Sequence, residues 1–185
     1  MTTVKQVIER QVDDAGNTLV LALEPLGDDE FYAENATGFS AAWTLGHLAC
    51  VADLFSSWFD GHLLFGREFH RVFNDTGVAD SGPASKAASV SREDYPKEFL
   101  FLGFRQAVIK ALDTLDAFDV AQWDDTAPPG APVGLLTAGA VWERLAAHAY
   151  WHCGELAGSM PRFFGTYALN IVPHYFYRPR GSSRS

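Results

Sequence analysis

A chain of 185 residues, 48% hydrophobic and 20% charged, is one ordinary globular domain that can bury a full core without disulfide staples. Its formal net charge of −9 argues against nucleic-acid binding through a basic surface. No run of about eighteen apolar residues offers a membrane span, and Lys5, Glu9 and Arg10 interrupt what would be a signal-peptide core, so a cytoplasmic protein is expected.

In chain order, the first apolar series reads Val4, Val7, Ile8, Val12, Ala15, Leu19, Ala22, Leu23 and Leu26. That spacing predicts a helix from Thr3 to about Pro25, capped by Thr3 or Thr2 and stopped by Pro25-Leu-Gly-Asp-Asp. A second helix is predicted from about Ser40 to Gly61, capped by Ser40 or Thr37. Its apolar stripe, Trp43, His47, Val51, Leu54, Phe55 and Trp58, turns His47 inward. Residues 61–92 are broken by Gly, Asp, Ser and Pro and read as a long crossover loop, of the kind that is functional or mobile.

A third helix is predicted from the capping-box spacing at Ser91-Arg-Glu-Asp94 to about Phe118, with Pro96 in its first turn. After an irregular stretch from Trp123 to Gly134, the last helix should start at a Thr137 cap and reach Phe164, with Gly165 as its stop. Its inner face reads Val141, Leu145, His148, His152, Glu155 and Ser159, which leaves Tyr150 and Trp151 to pack sideways. The fold class is therefore all-α, an up-down four-helix bundle with a long crossover loop. Residues 1–166 form the bundle domain and 167–185 an aromatic, then Arg/Ser-rich tail.

The chemistry concentrates on His148 and His152. Four residues apart on a helix, they point the same way from neighbouring turns and can grip one divalent ion without distorting the backbone. Two imidazoles buried together each need a partner or a metal. His47 on a second inward face supplies a third neutral nitrogen, and three protein ligands with an open position are the make-up of a catalytic site. Imidazole suits zinc, nickel, copper and iron alike, with zinc the first expectation and nickel the second.

Glu155, three residues after His152, can orient that imidazole or accept a proton from bound water, though it is also placed to be an ordinary solvated glutamate. Trp43, one turn before His47, can wall a pocket, and Arg67 and Arg71 in the loop can hold an anionic substrate. His62, His70 and His174 have no partner at helical spacing; His62 and His70 read as surface or lid residues. Cys50 and Cys153 make no disulfide framework and read as buried thiols of a reducing compartment.

Trp43-Thr-Leu-Gly-His47-Leu, together with Leu136-Thr-Ala-Gly-Ala-Val-Trp-Glu-Arg-Leu-Ala-Ala-His148-Ala-Tyr-Trp-His152-Cys-Gly-Glu155-Leu, resembles the DinB-like (YfiT) metalloenzyme family. The likeness spans about residues 3 to 165 and is specific at these two places. It implies a four-helix bundle in which His47, His148 and His152 bind zinc or nickel, and it implies a homodimer. It further implies a thiol-dependent S-transferase, in which a low-molecular-weight thiol is joined to a small electrophile. A family branch with maleylpyruvate isomerase activity carries glutamate where this chain has His148, so isomerisation is not expected. A metal-dependent hydrolase of small esters or amides, or a non-enzymatic metal-binding stress-response protein, are the competing expectations.

Overall fold

The computed structural model describes residues 3–35, 38–74 and 90–160. Helix α1 covers Val4–Leu23 and begins with a reciprocal cap: Gln6 N donates to Thr3 Oγ1 while Thr3 N donates to Gln6 Oε1. A short α2, Asp28–Tyr32, follows in the expected stop region, its first turn holding Asp28, Asp29 and Glu30 at the positive end of the helix dipole. Helix α3 is Ala41–Asp60, capped by Ser40 Oγ, which accepts from Trp43 N at 3.0 Å. It ends at Gly61, whose φ of +75° is easy only for glycine.

The 61–92 stretch is not wholly irregular. It contains α4, Arg67–Phe73, a two-turn helix packed on α3 through Phe69 and Phe73. Helix α5 is Lys97–Ala117, five residues later in its start than the capping-box spacing predicts. Ser91 does cap, but it closes a separate turn by accepting from the Glu93 and Asp94 amides. Pro96 disfavours helical geometry at Tyr95, so the helix has to begin after it.

Helix α6 is Ala138–Ser159, with Thr137 Oγ1 accepting from Ala140 N at its start. It stops short of the predicted Phe164, and the Gly165 stop and the 167–185 tail lie outside the described residues, as does His174. The irregular stretch before it is pinned: Ala138 N donates to Asp125 O and Gly139 N to Trp123 O, each at 2.8 Å.

Side-chain pairings give the helix directions. Lys110 meets Asp53 and Thr114 meets Asp60, so α3 and α5 run parallel. Lys5 reaches Asp116 while Arg105 reaches Glu24, so α1 and α5 are antiparallel. Phe59 stacks on Trp142 while His47 meets His152, so α3 and α6 are antiparallel as well. The order is up-down-down-up: the long crossover carries the chain back along the bundle before α5 begins.

Helix α3 is the centre of the structure, with every residue from Ala41 to Asp53 buried. A helix apolar on all sides is one surrounded by protein. Trp142, Leu19, Leu23, Leu45, Leu100 and Leu115 fill the spaces between it and the other helices. Trp151, expected to pack, is instead 59% exposed, because α6 rests chiefly on α1 and α3 and this side chain lies outside that arc. Among the described residues, no helix is long and apolar enough to cross a membrane.

Candidate metal centre

The three predicted histidines meet at the α3–α6 contact. His47 is fixed on the buried face of α3, and the four-residue step of α6 stacks His148 over His152. His148 Nε2 lies 3.2 Å from His47 Nε2 and 3.0 Å from His152 Nε2. The ligand atoms of all three fall within 4.8 Å of one another, the spacing of a group that can hold one metal ion.

The outer ring nitrogens decide what these inner ones can do. His47 Nδ1 stands 2.7 Å from the carbonyl oxygen of Phe73, which only accepts, so the ring proton is on Nδ1 and Nε2 presents a lone pair. His152 Nδ1 lies 2.7 Å from Glu155 Oε2, off the line of a hydrogen bond but close enough to favour its proton on that side. The single ring proton of a neutral His148 can then serve only one neighbour. Whichever nitrogen of His148 carries it, at least one lone pair of the cluster is left without a hydrogen, an arrangement that a cation relieves.

Protonation of the two α6 histidines does not supply that cation. His148 and His152 are each pushed down to about 3, first by burial and then by the charge His47 would carry. His148 and His152 are therefore neutral imidazoles at ordinary pH, the form that ligates metal.

Trp43 walls the site as its position one turn before His47 suggests. Its indole stacks on the His47 ring at 4.6 Å with an 8° interplanar angle, and Phe39 stacks on its other side at 4.5 Å. Arg67 and Arg71, expected to line a substrate pocket, lie on the exposed side of α4, and Arg71 is engaged by Glu68 at 3.0 Å. The cation that the histidines feel is Arg144, whose charge contributes to lowering both His148 and His152. It sits one turn before His148 on α6 and is solvent-exposed, and the 144, 148, 152 spacing was the signal that could have found it.

A second polar cluster corrects the reading of His70 and extends that of Cys50. His70 is largely buried, not a surface or lid residue: its Nε2 lies 3.1 Å from Asp53 Oδ2 and its Nδ1 3.0 Å from Cys50 Sγ. Sequence spacing gave no sign of this, because Asp53 looks like one polar interruption of an apolar helix. Burial pushes the Cys50 and Cys153 thiols up to about 12, so both stay protonated. His62 is exposed, and its carbonyl accepts from Lys110.

Helical throughout its regular elements among the described residues, with three histidines brought together from two facing helices, the molecule has the architecture in which helix bundles can build metal sites in their interior. Residues 11–156 match the model of the DinB superfamily, and the chain belongs to that superfamily. Among solved structures it is similar to a conserved protein from Enterococcus faecalis, with 19% identity and a TM-score of 0.67 over 89% of this chain and 99% of that one. At that identity the likeness concerns the fold. No curated protein matches the chain.

Proposed function

We propose that His47, His148 and His152 hold a zinc or nickel ion and that the protein is a thiol-dependent S-transferase acting on small electrophiles. The observation that carries the reading is the convergence of three imidazole nitrogens on one point, with His148 and His152 held unprotonated. Neutral ligands leave a bound ion its full charge, which polarises a substrate group or keeps a coordinated thiol deprotonated.

The chain's own residues supply the rest. Glu155 orients His152, and Trp43 with Phe39 closes one side of the site with aromatic surface. Arg144 offers a positive charge at the exposed side, suited to the carboxylate of a small thiol or of its electrophilic partner. Cys50 and Cys153 are buried and protonated, so the nucleophilic sulfur has to arrive with a substrate.

The test is metal content by elemental analysis, then turnover of an electrophile panel with and without added low-molecular-weight thiol. The expectation is about one ion per chain, its loss in His47→Ala, His148→Ala and His152→Ala, and turnover that requires the thiol. Full metal in all three variants removes the site. Turnover indifferent to thiol replaces the transferase with a hydrolase, and bound metal without turnover leaves a metal-binding protein.

A further inference from the structure

Asp53 is a carboxylate with no solvent exposure, six residues beyond His47 on α3. Burial alone would push its carboxyl up. His70, the Leu64 and Phe65 amides and Lys110 together outweigh that and hold it down at about 2. The contacts are short: 3.1 Å to His70 Nε2, 2.9 Å from Leu64 N, 3.1 Å from Phe65 N and 2.9 Å from Lys110 Nζ. Three of these four groups belong to α4 or the chain just before it. A buried charge so fully satisfied is a strong anchor, because removing any partner leaves the rest uncompensated.

What the anchor holds is a helix of seven residues, too short to stand by itself. Its last residue, Phe73, delivers the carbonyl that takes the His47 Nδ1 proton. The Phe73 ring is seated over Gly46, where a Cβ would come within 2.3 Å of it. Thus α4 is fixed at two points, His70 on Asp53 and Phe73 on Gly46, and between them they set the height of one carbonyl. Cys50 completes the chain: its protonated thiol lies 3.0 Å from His70 Nδ1, placed to donate to it while His70 Nε2–H faces Asp53.

We propose that Asp53, His70 and Gly46 are positioning residues for the three-histidine site, locking α4 so that the Phe73 carbonyl holds His47 in its Nδ1–H tautomer with Nε2 turned to His148 and His152. This rests on the reading of those histidines as metal ligands. The alternative is that the Asp53 cluster only secures the crossover and has no bearing on His47.

Two readouts separate these. Long-range ¹H–¹⁵N correlation on metal-free protein reports which nitrogen of His47 carries the proton, and cobalt(II) titration with its visible spectrum reports affinity and geometry. In the wild type the proton is on Nδ1. In His70→Ala and in Gly46→Ala, which acts at the other end of α4, the tautomers mix and cobalt affinity falls by about 10-fold or more, with helicity by circular dichroism retained. His70→Gln, whose amide can still donate to Asp53, restores much of the loss. Adding His70→Ala to His47→Ala costs nothing further, because the ligand being positioned is already gone.

An unchanged His47 tautomer in both variants overturns the proposal, as does an equal affinity loss from His70→Ala with and without His47. Should the wild type take up no cobalt, the metal reading fails by itself, and the tautomer measurement still decides whether these residues position His47.

Discussion

The carboxylate of Glu155 stands 2.7 Å from Nδ1 of His152, one turn along α6 on the side away from the other two histidines. Such an acceptor fixes a ligand imidazole in the useful tautomer and raises its basicity. Glu155→Ala is expected to weaken metal binding about 10- to 100-fold while leaving the fold intact, since the side chain is partly exposed and supports no core. Glu155→Gln, which keeps an acceptor oxygen, should lose less. Competition against a chromophoric chelator measures both, and unchanged affinity in the alanine variant would return Glu155 to an ordinary surface glutamate.

Metal removal should be visible in stability. An ion present at about 100 times its Kd stabilises the folded state by about 2.7 kcal/mol. For a chain of this size that corresponds to a Tm rise of roughly 5–10 °C. Thermal melts of chelator-stripped protein with added zinc or nickel should show the rise, and His152→Ala should not. An equal rise in the variant would locate the stabilising ion elsewhere.

The part of the site that the sequence makes legible is the part that rests on helix period. His148 and His152 share a face because four residues make about one turn, and His47 turns inward because the apolar stripe of α3 does. Thr3, Ser40 and Thr137 cap where their side chains predict, because capping is a local transaction. Ser91 shows the limit of that reasoning: the cap forms, but Pro96 five residues beyond it decides where the helix starts. The direction of α5 and the pairing of Asp53 with His70 depend on how the crossover folds back. Contacts across seventeen residues of Gly- and Phe-rich chain leave no periodic trace, so α4 and its anchor are seen only in the folded molecule.

Acid should weaken the metal-free protein for a defined reason. His148 and His152 titrate at about 3 when folded against 6.5 ordinarily, so the unfolded chain binds protons that the folded chain refuses. A depressed value means that the associated stability is fully present above about pH 6.5 and is lost as pH falls toward 3. Asp53, held at about 2 against an ordinary 3.8, adds a second loss below about pH 4. Urea midpoints on stripped protein should therefore decline from pH 7 downward. Replacing both α6 histidines with Asn should flatten the upper part of that decline and leave the part below pH 4. A flat profile in the wild type would mean that the two imidazoles are far more hydrated than their burial indicates.

Gly139 offers a test of how separable the scaffold is from the site. It lies in the first turn of α6, where a Cβ would come within 2.1 Å of the Trp123 indole nitrogen, and its amide donates to the Trp123 carbonyl. Gly139→Ala must push that indole aside and loosen the loop that pins the start of α6, an overpacking cost of about 1–3 kcal/mol. His148 is nine residues further along, roughly 13 Å down the helix axis. The urea midpoint should fall accordingly while metal affinity stays within about twofold, because changes this far apart without shared partners are close to independent. If affinity falls in step with stability, the α6 register is set at its N-terminus, and the histidines owe their alignment to the Trp123 clamp as well as to α3.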